Sequence, residues 1–491
     1  MKYVLILIAL VACNEDKYDV ARLEDPNTCK DCHPKHYDQW SGSMHAYASE
    51  DPVFVAMNAR GQREAQLGTF CVNCHAPMAV KLGLTDGTNY DPSTLPPEAK
   101  GITCYFCHNV DKVSDDHNNG LVLAMDQTMR GGATKPADTP AHDSLYDKNL
   151  MSADSQERNS TMCGSCHDIV TPQNNVHIER SYQEWQTTIF AQQLPSFGGV
   201  TCAKCHMKPS DGVIAEGSGL SVGNRTQGFH DHGFPAIDQA ITDFPNKDVQ
   251  LAGISDILNP ALNIVGIASV PGKNPGGGIC LEPPGTLTVR TDTFSVGHMF
   301  PSGASQDRRV WLEVIAYDAS NNVLFHTGEV PDGKDPEDLT AADDDSLDTL
   351  LCTGNNTQDN RKCGGWWDRM YKADGSRADF FWEVANETSY LLKPAITTNI
   401  GDPAFDHSTT VTYDVSTIFG QIDHISATVR TRPFPYAMLN KLVASGDLDP
   451  QYAMNLHTLT AGDGNGATRT WEKATAGTGA SINTGCNYMP P

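Results

Sequence analysis

Thr28-Cys29-Lys30-Asp31-Cys32-His33-Pro34 is the stretch from which the rest of the chain can be read. Two cysteines three positions apart, followed at once by a histidine, recur as Cys71, Cys74 and His75; Cys104, Cys107 and His108; Cys163, Cys166 and His167; and Cys202, Cys205 and His206. In such a unit the two thiols are spaced to form thioethers with the two vinyl groups of a haem, and the histidine projects at the iron as proximal ligand. Chance supplies this pattern roughly 0.02 times in a chain of this composition, so a series of them is not background. Structural zinc sites pair one Cys-x-x-Cys half with a second half, whereas every unit here carries its own histidine, which sets zinc and redox dithiols aside. The expectation is five covalently attached haem c groups, one per unit.

The units start 42, 33, 59 and 39 residues apart, too unevenly for a solenoid of identical repeats. About 36 residues per haem cannot bury five macrocycles in separate pockets, so the haems are expected to pack together and serve as core. Lys35 to Ser49 and Arg180 to Gln193 read as helices, joined by Gly- and Pro-rich loops with little strand pattern.

Cys29-Lys-Asp-Cys-His followed by Gln39-Trp-Ser-Gly-Ser-Met-His-Ala46 resembles the opening of the multihaem c-type cytochromes related to the tetrahaem electron carriers of nitrification. Gly101-Ile-Thr-Cys-Tyr-Phe-Cys-His108, Met162-Cys-Gly-Ser-Cys-His-Asp168, Tyr182-Gln-Glu-Trp185 and Val200-Thr-Cys-Ala-Lys-Cys-His-Met207 continue the likeness in order, over roughly residues 27 to 235. The resemblance implies a mainly helical, haem-packed fold and electron transfer. Five units in place of four mean that ligand pairings do not carry over wholesale.

Seventeen histidines less the five proximal ones leave twelve for the sixth iron positions. His45 lies in a family-like Trp-x-x-Ser-x-x-His pattern, and His117, before Asn118-Asn119-Gly120, and His142, in Thr-Pro-Ala-His-Asp, resemble family ligand positions. His232 matches the His-x-Phe pattern that follows the last unit in relatives; His230 and His177 are held in reserve. His298, in Gly297-His-Met-Phe-Pro-Ser-Gly303, is similar to strings that accompany such cytochromes and would carry a ligand from the second domain. His36, His326, His407, His424 and His457 read as solvated loop residues. Met78 and Met207 read as packing rather than as axial sulfur.

Lys2 and the apolar run Tyr3 to Ala12 fit a secretory signal, too short to span a bilayer, and Leu10-Val-Ala-Cys13 resembles a lipoprotein processing box. The expected organisation is signal and lipidated Cys13 over 1–13, a tether over 14–26, a pentahaem domain over 27–240, a linker over 241–279 and a β-sandwich over 280–491. The fold class is α+β. In the last part Val310 to Tyr317, Val323 to Thr327, Phe380 to Val384, Thr409 to Asp414 and Ile425 to Arg430 read as strands. Pairing Cys280 with Cys486 and Cys352 with Cys363 is one of three possible connectivities, favoured because export permits disulfides. Eight acids between Asp332 and Asp348 read as a solvated loop, since the spacing lacks that of a calcium loop.

With 491 residues and a formal charge of −25, the chain is long enough for several domains and repels nucleic-acid phosphate. Its expected partners are redox proteins with a basic patch, and the membrane through Cys13. The leading expectation is an exported, lipid-anchored electron carrier, periplasmic or at the outer membrane and possibly the cell surface. It would run from a membrane or periplasmic donor to an outer-membrane or extracellular acceptor. The alternative is a reductase of a nitrogen or sulfur oxyanion with one open haem; a third reading is an interaction module.

Overall fold

The structure is a computed structural model, and it describes residues 17–131, 141–145, 156–192, 199–216, 225–262, 264, 278–293, 295–339, 364–456, 458–461 and 468–472. Cys13, Cys352, Cys363, Cys486, His457 and the Asp343 to Asp345 run lie outside these residues.

The first half is built from short helices. Pro34–Ser41 and Met44–Tyr47 stand where one helix from Lys35 to Ser49 is expected, because Gly42 and the capping Ser43 end the first and start the second. Ser181–Gln186 covers only the first part of the segment read as helical to Gln193. Pro52–Ala65 is the longest helix of this half, started by Asp51, whose carboxylate accepts from Val53 N, and ended by Gln66 in the left-handed conformation. Small two-stranded sheets add to this, including Val110–Asp115 with Gly120–Leu123 and Ile169–Val170 with His177–Glu179. Strands of two to six residues closed by Asn turns carry too little alternation to be read from the sequence.

The second half is a two-sheet sandwich. One sheet holds Ile279–Glu282, Thr286–Thr291 and Thr409–Asp414; the other is centred on Arg309–Tyr317 and His424–Arg432, with Val323–Thr327 at one side. Leu281, Leu287, Val289 and Val411 from the first face Leu312, Val314, Ala316, Ile425, Ala427 and Val429 from the second in one buried cluster. Alternate residues point inward, as the period-two pattern requires. Phe380 to Val384 is a 3-10 turn at Phe381–Glu383 rather than a strand, because Phe380 and Trp382 stack on each other, 4.8 Å apart, in a separate cluster.

The stretch 241–279 is more than a linker. Lys247–Ala261 is a helix, and its Ile254, Leu258 and Ala261 join the sandwich core. The two halves also meet elsewhere: Val53 and Ala56 of Pro52–Ala65 pack with Leu439 and Leu442 of the helix Tyr436–Ala444. Arg63 reaches Asp447 through two bonds of 2.5 and 2.6 Å. Among the described residues no helix is long and apolar enough to cross a membrane.

Candidate haem-binding site

Local chemistry forms each clamp. Thr103 and Thr201 stand immediately before Cys104 and Cys202, and their hydroxyls accept from the amides of Phe106 and Lys204, which starts the one-turn helices Cys104–His108 and Cys202–His206. The second clamp forms Val72–His75, and the fourth closes the helix Gln156–Gly164. Gly101 has φ +63, and a Cβ there would lie 2.5 Å from the carbonyl oxygen of His45. Only glycine therefore lets the third clamp approach the His45 segment, where Ile102 N donates to His45 O over 2.9 Å and Trp40 Nε1 to Ile102 O over 2.7 Å.

None of the ten clamp cysteines is used in a disulfide. Sulfurs of different clamps hydrogen-bond: Cys29 with Cys104, Cys163 with Cys202, and Cys166 with Cys74. Cys107 lies close enough to Cys163 and Cys166 to act on them electrostatically. These contacts join the first clamp to the third, the third to the fourth, and the fourth to both the second and the fifth. The five attachment points form one connected group.

The histidines extend this order. His33 faces His142 with ring centres 6.5 Å apart, His108 faces His232 at 6.3 Å, His167 faces His45 at 6.1 Å and His206 faces His298 at 6.3 Å. A metal–nitrogen bond of about 2 Å on each side, plus about 1 Å from nitrogen to ring centre, gives about 6 Å for two imidazoles sharing one iron. The spacing fits haem iron and is too wide for direct stacking. The Nδ1 atoms agree: those of His33, His108 and His206 bond to the carbonyl oxygens of Ile214, Arg130 and Pro235 at 2.7, 2.6 and 2.8 Å. His142, His232 and His298 bond likewise to Asp143, His230 and Met299 at 3.0, 2.8 and 2.7 Å. With Nδ1 donating to a carbonyl, Nε2 is left as the ligating atom. Burial pushes the imidazoles of His45 and His232 down to about 3, which keeps them neutral as ligation requires.

Two histidines stand apart from this scheme. His75, anchored by Ala48 O at 3.2 Å, is faced by no second imidazole among the described residues; the Phe54 ring lies flat against it, 4.1 Å away. His117, expected opposite a clamp, faces His177 instead. Four of the histidines read as solvated are engaged in the fold, His424 among them, stacked on Tyr317 with ring centres 4.7 Å apart. His36 packs edge-on to His232 at 4.6 Å and is pushed to about 2 by burial and that neighbour; His407 is buried; His326 bonds to Glu313 at 3.0 Å. Met78 is buried with Tyr105 and Phe106 and packs rather than ligates. Glu184 lies in the string Tyr182-Gln-Glu-Trp185 that carries the resemblance, but its role is visible only in the structure: it ties the His298 turn to the helix Ser181–Gln186 by accepting from Met299 N at 3.2 Å and Ser302 Oγ at 2.7 Å.

Five clamps and imidazoles set an iron's width apart are the features of the multihaem c-type cytochromes, and the comparisons with known proteins point the same way. Residues 28–109, which hold the first three clamps, match the family model described as cytochrome c554 and c-prime. No curated protein matches the chain significantly in sequence. Among solved structures it is similar to the penta-heme cytochrome c552 from Thermochromatium tepidum, with a TM-score of 0.58 at 16% identity, over 92% of this chain and 99% of that one. The likeness extends across both halves and gives the same overall fold.

Proposed function

We propose that the chain holds five covalent haem c groups and carries electrons from a membrane or periplasmic donor to an outer-membrane or extracellular acceptor. The observation that carries this reading is the set of four facing imidazole pairs at 6.1 to 6.5 Å. In it His33, His75, His108, His167 and His206 are proximal ligands, and His142, His232, His45 and His298 are distal ligands opposite His33, His108, His167 and His206. When bound, haem c supplies reversible one-electron iron chemistry. The chain's residues fix ring orientation through Nδ1, exclude water by burial, and hold neighbouring attachment points in contact. His298 makes the sandwich part of the redox unit, since its turn closes over the fifth clamp.

Cys13 serves as lipid anchor in this reading, and the net charge of −25 selects a partner with a basic patch. Intact-mass analysis of the exported protein tests the haem count; fewer than five additions refutes it. His298→Ala is expected to turn one haem from low-spin to high-spin, and an unchanged spectrum withdraws the ligand from the sandwich.

The position of His75 favours a second reading in one respect. With no imidazole opposite His75 among the described residues, a haem held there would have an open position, as a reductase of a nitrogen or sulfur oxyanion requires. The ferric spectrum separates the two: one high-spin iron that shifts with added nitrite or hydroxylamine supports the reductase, and five low-spin irons leave the carrier alone.

A further inference from the structure

His117 and His177 lie outside every clamp, yet their ring centres are 6.2 Å apart with planes inclined by 48°. That is the spacing of the four pairs that bracket an iron's width. Both Nδ1 atoms are engaged by carboxylates. His177 Nδ1 is 3.0 Å from Asp168 Oδ1, and His117 Nδ1 is 2.9 Å from Asp115 and 3.2 Å from Asp116. Nε2 is left as the donor atom on each ring, with the carboxylate behind it fixing the ring and raising its basicity, as in the outer shell of metal-bound histidine.

The scaffold beneath the pair is rigid. Asn118 and Asn119 take φ of 52° and 59° to close the hairpin of Val110–Asp115 with Gly120–Leu123. Asn118 then bonds to Val170 as a strand would, Nδ2 to the carbonyl at 2.9 Å and Oδ1 from the amide at 3.0 Å. Val170 is in register with His177 on its other side. One short strand thus holds both histidines, and Asp168, with a side chain 2% exposed, anchors the second from within. The imidazoles themselves are 32% and 35% exposed, so an ion reaches them from solvent.

We propose that His117 and His177 form a site for one divalent transition-metal ion of the copper class, held between the Nε2 atoms of the two rings. A tetrahedral ion such as zinc would draw the two ring centres to about 5 Å, whereas trans positions of a tetragonal ion set them about 6 Å apart, as found. The five clamps each bring their own histidine, so this pair is not needed to attach a haem.

The test uses the exported haem-loaded protein, stripped with chelator and titrated with cupric ion alone. One copper per chain retained through gel filtration, with a cupric resonance split by nitrogen, is expected. His117→Ala and His177→Ala should each weaken binding at least tenfold, and Asp168→Asn about tenfold or more. Copper should also shield both histidines of the unsubstituted protein from acylation by diethylpyrocarbonate, read by peptide mass, which needs no variant to fold. Binding indifferent to both alanine variants, absence of shielding, or zinc retained in place of copper overturns the proposal. Loss of one low-spin haem in either variant also overturns it, because the pair would then be axial ligands.

Discussion

The two halves of the molecule solve the same problem with different material. In the sandwich, side chains from both sheets and from Lys247–Ala261 meet in one continuous buried cluster. In the clamp region the apolar clusters are small and separate, such as Leu23, Met78, Tyr105, Phe106, Val110 and Leu121 around the third clamp. What lies between the clamps is instead a series of facing imidazoles set an iron's width apart. A polypeptide core tolerates folding before any cofactor arrives, whereas a core of macrocycles does not. The first half should therefore depend on haem attachment for its fold and the second should not.

Removing a clamp is the strongest way to break that contrast. Cys104→Ala with Cys107→Ala deletes attachment at the clamp whose Tyr105 and Phe106 are almost fully buried and which touches both the first and fourth clamps. The expected protein lacks the mass of one haem and is cut rapidly by protease between residues 27 and 240, while fragments of the sandwich persist. Equal protease sensitivity of both halves would mean that the sandwich, too, leans on the haems.

The uneven legibility of the chain follows the same division. The clamps are contiguous in sequence, so their chemistry is readable residue by residue. Strands such as Val323–Thr327 and Thr409–Asp414 are readable because burial on one face imposes alternation. His142, His232 and His298 are marked only by resemblance of their surroundings, and nothing local says which clamp each faces. The pairing of His117 with His177 is invisible in the sequence because it depends on Asn118 reaching Val170, 52 positions away. Lys247–Ala261 hides for a different reason: it is flanked by Gly- and Pro-rich segments and contains Pro260, which masks a helix whose stability comes from packing on the sandwich.

A substitution inside the sandwich sharpens the contrast from the other side. Leu312, 2% exposed, sits on the central strand Arg309–Tyr317 among Val289, Val411 and Val429. Leu312→Ala removes buried methyl groups from a core that collapses only partly, at a cost of about 2 to 5 kcal/mol. Denaturant unfolding should show that loss with no change in haem absorption. A spectral change on the same substitution would show the two cores to be coupled.

The smallest effect belongs to the seam between the halves. Glu184, on the helix Ser181–Gln186, is buried, and its Oε2 accepts from Ser302 Oγ and Met299 N in the turn that carries His298. Burial raises its carboxyl from the ordinary 4.5 to about 6, against the opposing pull of Ser302 and Arg180. Between those values the folded protein binds more protons here than the unfolded chain. Its stability contribution is therefore complete below 4.5 and falls as pH rises through 6, by at most about 2 kcal/mol. Glu184→Gln fixes the neutral form and should flatten that slope, so the stability difference between the two proteins should change across pH 4.5 to 6 and be constant outside it. A difference independent of pH over that window would show that Glu184 does not titrate on folding and that the seam is held by packing alone.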